Sequence, residues 1–337
     1  MRPTLAEIAR EAEVSNATVD RVLNARAGVH AHTQAHVFAV ARRLGYLLPE
    51  AQPLTLRPIR LHFLLPEGTN AYVLDLADQV RRQAANMDAI EAVVETIAGF
   101  DPRALASRLI ALRGASDGVA LVAIDHPTVR DAVRALAQSG THVVTIASDI
   151  HNVPRLAYIG IDNGQAGRLA GYVIGRFLGK AKAAKVALFA GSLAYRGHQE
   201  REMGFRQVLT EDFPAFEIAE LREVHDNREK AFAETIALFA AQPDLAAIYN
   251  AGGATAGIAR ALKALGRDQA VVFVAHDATE SNKALLLDDT LDAIIDQNAG
   301  AEIREALTTL TNAARGTTHV PLPMRLQIIF RENLPLD

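Results

Sequence analysis

The residues best equipped for chemistry begin with an eleven-residue stretch, 14–24, reading Val-Ser-Asn-Ala-Thr-Val-Asp-Arg-Val-Leu-Asn. Ser15 supplies a side-chain oxygen for the free N–H groups that open a helix. Val19, Val22 and Leu23 then fall at i, i+3 and i+4 on one apolar face, leaving Asn16, Ala17, Asp20 and Arg21 toward solvent or a partner. Upstream, Leu5, Ile8 and Ala9 repeat this spacing on a helix predicted from about Leu5 to Ala12. Two short helices joined by about three residues form the helix-turn-helix pattern, whose second helix enters a DNA major groove. The same spacing also suits two helices of an ordinary bundle.

Catalytic chemistry has little to build on. There is no Gly-x-x-x-x-Gly-Lys-Ser/Thr phosphate loop and no Gly-x-Gly-x-x-Gly after the first apolar strand. Ala190-Gly191-Ser192-Leu193-Ala194 does not match the Gly-x-Ser-x-Gly nucleophile elbow. His30, His32 and His36 have loose metal-like spacing but no acidic partners, and are read as surface or phosphate-facing groups. Asp288-Asp289 falls in a polar turn. No catalytic residue, metal ligand or cofactor is assigned, and the expectation is a protein that is not an enzyme.

Length and composition bound the classes that remain. At 337 residues, two or three domains are expected. Half the residues are hydrophobic and 22% are charged, a normal globular balance with enough apolar mass for a sizeable core. The net charge of −4 excludes a globally basic protein, yet residues 1–57 carry seven Arg against five carboxylates. A weakly basic head on an acidic body fits specific DNA binding better than non-specific coating. With no cysteine there is neither a disulfide framework nor a thiolate metal site. The N-terminus lacks the apolar core of a signal peptide and no apolar run reaches spanning length, so a cytoplasmic protein is expected.

The positioning elements follow from periodicity. Residues 33–44 are predicted to form a third helix, with Val37, Val40, Ala41 and Leu44 closing a three-helix core. Residues 47–58 hold three prolines and mark a boundary. From Ile59 onward apolar strands are predicted at 59–65, 91–97, 118–124, 142–147, 157–161, 185–190, 218–224, 245–249, 271–275 and 292–296. Amphipathic helices such as 73–87, 101–113, 127–139, 164–178 and 254–265 alternate with them. That alternation implies parallel sheets built from βαβ units, and about 280 residues exceed what one such sheet usually holds. Two doubly wound lobes are expected, with a ligand cleft where the carboxyl ends of their strands meet.

Thr4-Leu5-Ala6-Glu7-Ile8-Ala9, Val14-Ser15, Thr18-Val19-Asp20-Arg21-Val22-Leu23-Asn24 and Leu44-Gly45-Tyr46 together closely resemble the DNA-binding headpiece of the LacI (lactose-repressor) family. The resemblance implies that Asn16, Ala17 and Arg21 face base edges, with Ser15, Thr18 and Asn24 near phosphates. Asn pairs bidentately with adenine and Arg with guanine, each pair discriminating by roughly 1–3 kcal/mol. It also implies a hinge at 49–58 whose Leu54 or Leu56 wedges into the minor groove. Two positions depart from the family: Glu13 stands where a turn glycine is usual, and Asp20 where a serine is usual.

Residues 59–337 resemble the sugar-binding core of the same family, itself similar to periplasmic ribose-binding-type proteins. The motifs are Asn70-Ala71-Tyr72, Tyr158-Ile159-Gly160-Ile161-Asp162-Asn163 with Ala166-Gly167, Glu200-Arg201 with Gly204-Phe205, His276-Asp277, and Ile295-Asp296-Gln297. Ligand contacts carried over are Asn70, Tyr72, Ser148, Asp149, Arg201, Asn250, Asp277 and Gln297, a set suited to a polyol. For several of these a structural role is the alternative: Asp277 capping the next helix, Arg201 in an interlobe ion pair, Asn70 in a turn, Tyr72 in the core. Asn250-Ala251-Gly252-Gly253 departs from the Asn-Asp pair usual in the family. The implied organisation is an all-α helix-turn-helix headpiece at 1–48, a hinge at 49–58 and a type I periplasmic-binding-protein-like core. Its N-lobe is expected at about 59–160 plus 291–320, and its C-lobe at about 161–290 plus 321–337. The function implied is a homodimeric, sequence-specific regulator, expected to be a repressor. It would bind pseudo-palindromic double-stranded operator DNA under control of a sugar or sugar-like effector. The alternative is a solute-binding protein of the same core fold without a regulatory role.

Overall fold

The computed structural model describes residues 4–24, 26, 29–44, 46, 57–180 and 182–334, in two compact units divided after Arg57. The first unit packs α1 (Leu5–Glu11), α2 (Asn16–Leu23) and α3 (Ala31–Arg43) around Ile8, Ala9, Ala12, Val19, Val22, Val37, Val40 and Ala41. Thr4 and Glu7 form a capping box that satisfies the opening N–H groups of α1. At the other end of α1, the Val14 N–H donates to the Ala9 carbonyl at 3.0 Å and the Glu13 N–H to the Arg10 carbonyl at 3.4 Å. That pairing is a Schellman motif, and it requires a left-handed residue between helix and turn. Glu13 takes that conformation, with φ 52°. The turn between α1 and α2 therefore keeps its glycine-like geometry without a glycine.

The second unit begins with β1 (Ile59–Pro66), α4 (Ala71–Ala84), β2 (Ile90–Ile97), α5 (Pro102–Ala111), β3 (Gly118–Leu121), α6 (Pro127–Gln138), β4 (His142–Ile146) and β5 (Ala157–Ile159). It continues through α7 (Asn163–Leu178), β6 (Ala184–Ala190), α8 (Arg196–Asp212), β7 (Phe216–Glu223), α9 (Arg228–Ala241) and β8 (Leu245–Asn250). Then come α10 (Thr255–Ala264), β9 (Val272–His276), α11 (Glu280–Leu287), β10 (Ala293–Asp296), α12 (Ala299–Ala314) and β11 (Gln327–Ile329). The first sheet is all parallel in the order β2-β1-β3-β4-β5; the second runs β11-β10-β9-β8-β6-β7, with only β11 antiparallel. Central strands are largely apolar, as in β1, where Leu61, Phe63, Leu64 and Leu65 are buried around a single polar residue, His62, because helices cover both faces. Strand order reverses between β1 and β3 in one lobe and between β6 and β8 in the other. Loops diverge at such points and leave a crevice beyond the strand ends.

The chain passes between lobes at 160–162, at Gln297–Asn298 and over 315–326. The middle passage differs from the expected one near 291. Ala293, Ile294 and Ile295 are fully buried and pair in parallel with β9, so β10 belongs to the second sheet. Only α12 returns to the first lobe, where Ile303, Ala306, Leu307 and Leu310 join its core. The edge strand β11 carries too few residues to show a period: Gln327 is exposed, Ile328 half-buried and Ile329 buried. Among the described residues no helix is long and apolar enough to cross a membrane.

Because a left-handed non-glycine residue costs about 1 kcal/mol or more, Glu13→Gly should stabilise the first unit by about that amount. Hydrogen exchange of the full chain checks it: the amides of α1 and α2 should gain about fivefold protection, while those of the second unit stay unchanged.

Candidate functional site

In the first unit, Ser15 caps α2 by accepting from the Thr18 N–H at 3.1 Å, and its hydroxyl lies 2.9 Å from that of Thr18. Asn16, Ala17 and Arg21 are exposed on one face, opposite the buried Val19 and Val22. Asp20, its side chain still 41% exposed, is engaged by groups at the end of the helix. It accepts from Asn24 Nδ2 at 2.8 Å and pairs with Arg26 at 3.1 Å. Asn24 also donates to the Asp20 carbonyl, so its amide is engaged within the helix end rather than offered outward. The carboxylate that departs from the family pattern is thus met by a cation of its own chain. Leu54 and Leu56 lie outside the described residues.

In the second unit, six of the eight ligand candidates line one cavity of about 60 Å³ between the lobes: Asn70, Tyr72, Ser148, Arg201, Asp277 and Gln297. That is several times the roughly 10–15 Å³ that one water needs. Arg201 is the centre of the set. Gly167 lets α7 and α8 meet backbone to backbone, since a Cβ there would lie 1.9 Å from the Arg201 carbonyl. The guanidinium, 4% exposed, donates at 2.8 Å each to Asn163 Oδ1, the Ala251 carbonyl and Gln297 Oε1. Gln297 in turn donates to Asp277 Oδ1 at 2.7 Å. Asp277 does not cap α11, a role taken by Thr279, and among the described residues Arg201 forms no ion pair across the lobes.

The first lobe contributes Asn70, which caps α4 through the Tyr72 N–H and also donates to Asp226 of the second lobe at 2.9 Å. Ser148 Oγ accepts from the Gly197 N–H at 3.3 Å, a second bond across the cleft. Phe100 stacks edge-on against Tyr195 and His225, with ring centroids 5.4 and 5.0 Å apart. The Tyr72 hydroxyl and the Ala147 N–H both donate to Glu302 at the start of α12.

Two candidates are not brought to the cavity. Asp149 accepts from Arg155 through both oxygens and from Thr145 at 2.7 Å, an internal clamp that leaves it no role as a wall residue. Asn250 is fully buried and folds the loop after β8, bonding the Gly253 carbonyl, Thr255 and the Gly252 N–H. Conversely, the cavity includes His198 and Asp226, which sequence reasoning did not select, and Tyr195, which the sequence reads as a wall or core residue rather than a stacking platform. His198 on the same helix and Tyr195 at its N-cap lie within six residues of Arg201, which was the available signal. Asp226 carried none, because it reaches the cavity from the loop after β7.

Burial sets the protonation of the floor. Desolvation pushes Asp277 up to about 7, against the opposing pull of Arg201 and Gln297. Desolvation likewise lifts Glu302 to about 7, while Tyr72 and the Ala147 N–H oppose it. His198 and His276 are both pushed down, first by burial, and so stay neutral near pH 7. The arrangement offers neutral and ionised hydrogen-bonding groups at loop ends, the requirement for gripping a hydroxylated solute.

Asp277 and Glu302 hold their protons to about pH 7 when folded but release them near pH 4 when unfolded. Their contribution is therefore most favourable below about pH 4 and is lost as pH rises to 7. Urea titrations at pH 5, 6 and 7 should show Asp277→Asn flattening this decline by up to about 1.4 kcal/mol per pH unit.

Residues 61–318 match the family described as periplasmic binding protein domain, and residues 4–48 match the bacterial regulatory proteins, lacI family. A comparison with curated proteins finds no match. Among solved structures, a glucose-galactose binding protein from Geobacillus stearothermophilus is 23% identical, with 82% of this chain and 99% of that one covered and a TM-score of 0.74. A solute-binding protein from Burkholderia graminis in complex with D-arabinose is 19% identical, covering 82% and 96%, with a TM-score of 0.76. One from Bacillus halodurans with bound myo-inositol is 17% identical, covering 82% and 96%, at 0.74. The chain belongs to the periplasmic binding protein domain family through its core, and its N-terminal residues 4–48 match the model of the bacterial regulatory proteins, lacI family.

Proposed function

We propose that this protein is a cytoplasmic, sequence-specific DNA-binding regulator, acting as a repressor, whose DNA affinity is set by a sugar or polyol held between its lobes. The observation that carries the reading is the presence in one chain of a capped, exposed recognition face and a polyol-type cleft. Asn16, Ala17 and Arg21 would read base edges, with Ser15 and Thr18 toward phosphates. Asn70, Tyr72, Ser148, Arg201, Asp277 and Gln297 would contact the effector. A homodimer would present two heads to a pseudo-palindromic site. Coupling is reciprocal: an effector that weakens DNA binding is itself bound more weakly, by the same factor, when DNA is present. Among the solved neighbours are a glucose-galactose binding protein and ABC-transporter solute-binding proteins holding D-arabinose and myo-inositol, which favours the second reading of a solute-binding protein without a regulatory role. The lacI-type head speaks for the first.

Two substitutions separate the modules. Selection from randomised duplexes should return inverted repeats, and Arg21→Ala should weaken the selected site by roughly 5- to 150-fold, the equivalent of 1–3 kcal/mol. The thermal shift produced by sugars should be unaffected. Arg201→Ala should abolish the sugar shift while DNA binding persists. Loss of both properties in each variant would defeat the two-module reading, and loss of neither DNA binding nor sugar binding would defeat the residue assignments.

A further inference from the structure

The loop after β8 holds two glycines whose side-chain space is already taken. A Cβ on Gly252 would lie 2.4 Å from the Gly191 nitrogen and 3.1 Å from Asp226 Oδ1; one on Gly253 would lie 2.8 Å from Asn70 Nδ2 and 3.0 Å from Asp226 Cγ. A carboxylate from the second lobe and an amide from the first therefore meet where this loop provides no side chain of its own. Asp226 is held there at a cost, since it and His225 are consecutive left-handed residues, with φ 52° and 51°. Its two oxygens accept from uncharged donors, Asn70 Nδ2 at 2.9 Å and the Gly253 N–H at 2.8 Å. Among the described residues it forms no ion pair. Arg201, the guanidinium of the same cavity, already donates to Asn163, Ala251 and Gln297. Asp277 adds a second carboxyl to the lining, and the proximity of Asp226 helps to raise its pKa.

Such a site is rich in acceptors. Carboxylates gain from hydroxyl or ammonium hydrogens and repel phosphate and carboxylate groups, most strongly where water is excluded. We propose that Asp226 is the specificity-determining carboxylate of the cleft: it selects a polyol rich in hydrogen-bond donors and free of anionic groups, and through Asn70 it registers that the lobes have closed. This rests on the reading of the cleft as an effector site and narrows the effector's chemistry.

The test is calorimetric titration of the full chain with four matched probes, D-glucose, D-glucosamine, D-glucose 6-phosphate and D-gluconate. A parallel set uses D-ribose, ribose 5-phosphate and myo-inositol. Wild type should bind at least one neutral or amino sugar and should bind its phosphorylated or acid form at least tenfold more weakly. Asp226→Asn keeps the shape and removes the charge; it should weaken the preferred sugar at least tenfold and narrow the discrimination. Gly253→Ala, whose methyl crowds the Asn70–Asp226 pair, should weaken the same sugar without changing charge, and serves if Asp226→Asn fails to fold. An anionic probe that binds best, or variants that bind as wild type does, would overturn the role of Asp226 while leaving the effector cleft standing. Absence of binding by every probe would overturn both.

Discussion

Arg201 is the group on which the cleft depends. A guanidinium cannot be buried without partners, because the cost of removing the charge from water is repaid only by a full set of hydrogen bonds. Here the partners come from Asn163 at the first interlobe passage, Ala251 after β8 and Gln297 at the middle passage. One side chain on α8 thereby ties two of the three passages between lobes to the loop that forms the cavity wall. Its position is itself a consequence of Gly167, which admits α8 close enough to α7 for the guanidinium to reach them. Gln297 extends the chain of bonds to Asp277.

At the cavity the two lobes are coupled by polar contacts alongside the apolar packing of Tyr195 into the first lobe's core. Glu302 accepts from Tyr72 and from the Ala147 backbone, joining α12, α4 and the end of β4 within the first lobe. Across the gap, Asn70 reaches Asp226 and the Gly197 N–H reaches Ser148. Each interlobe bond can be exchanged for a bond to a hydroxylated ligand or to water at small net cost, since hydrogen bonds exchange partners more cheaply than apolar surface is exposed. Phe100, packed edge-on against Tyr195 and His225, supplies an apolar contact between the lobes. Closure with reversible polar latches is a suitable basis for a ligand-dependent equilibrium between lobe arrangements.

In the head, the two departures from the family pattern have different physical resolutions. Glu13 keeps the left-handed geometry and bears its strain, because the Schellman bonds to Ala9 and Arg10 over-determine the turn. Asp20 avoids exposure as an isolated anion by binding Asn24 and Arg26, leaving Asn16, Ala17 and Arg21 as the outward polar surface of α2.

The architecture was legible in the sequence because it rests on local periodicity. Apolar spacing of three and four residues marked α1 to α3, and apolar runs marked the strands β1 to β10, each within a few residues. Motif positions at strand ends and on the helices that follow them brought six ligand candidates to one cavity, since loops at switch points must converge there. Tertiary structure decided what periodicity cannot encode. It assigned β10 to the second sheet, because pairing with β9 is a long-range choice invisible in a five-residue run. It drew Asp149 and Asn250 away to Arg155 and the Gly253 loop, because a polar residue serves whichever partner the fold brings nearest. And it delivered Asp226 to the cavity, because the empty side-chain space of Gly252 and Gly253 has meaning only once β7 and β8 lie in one sheet.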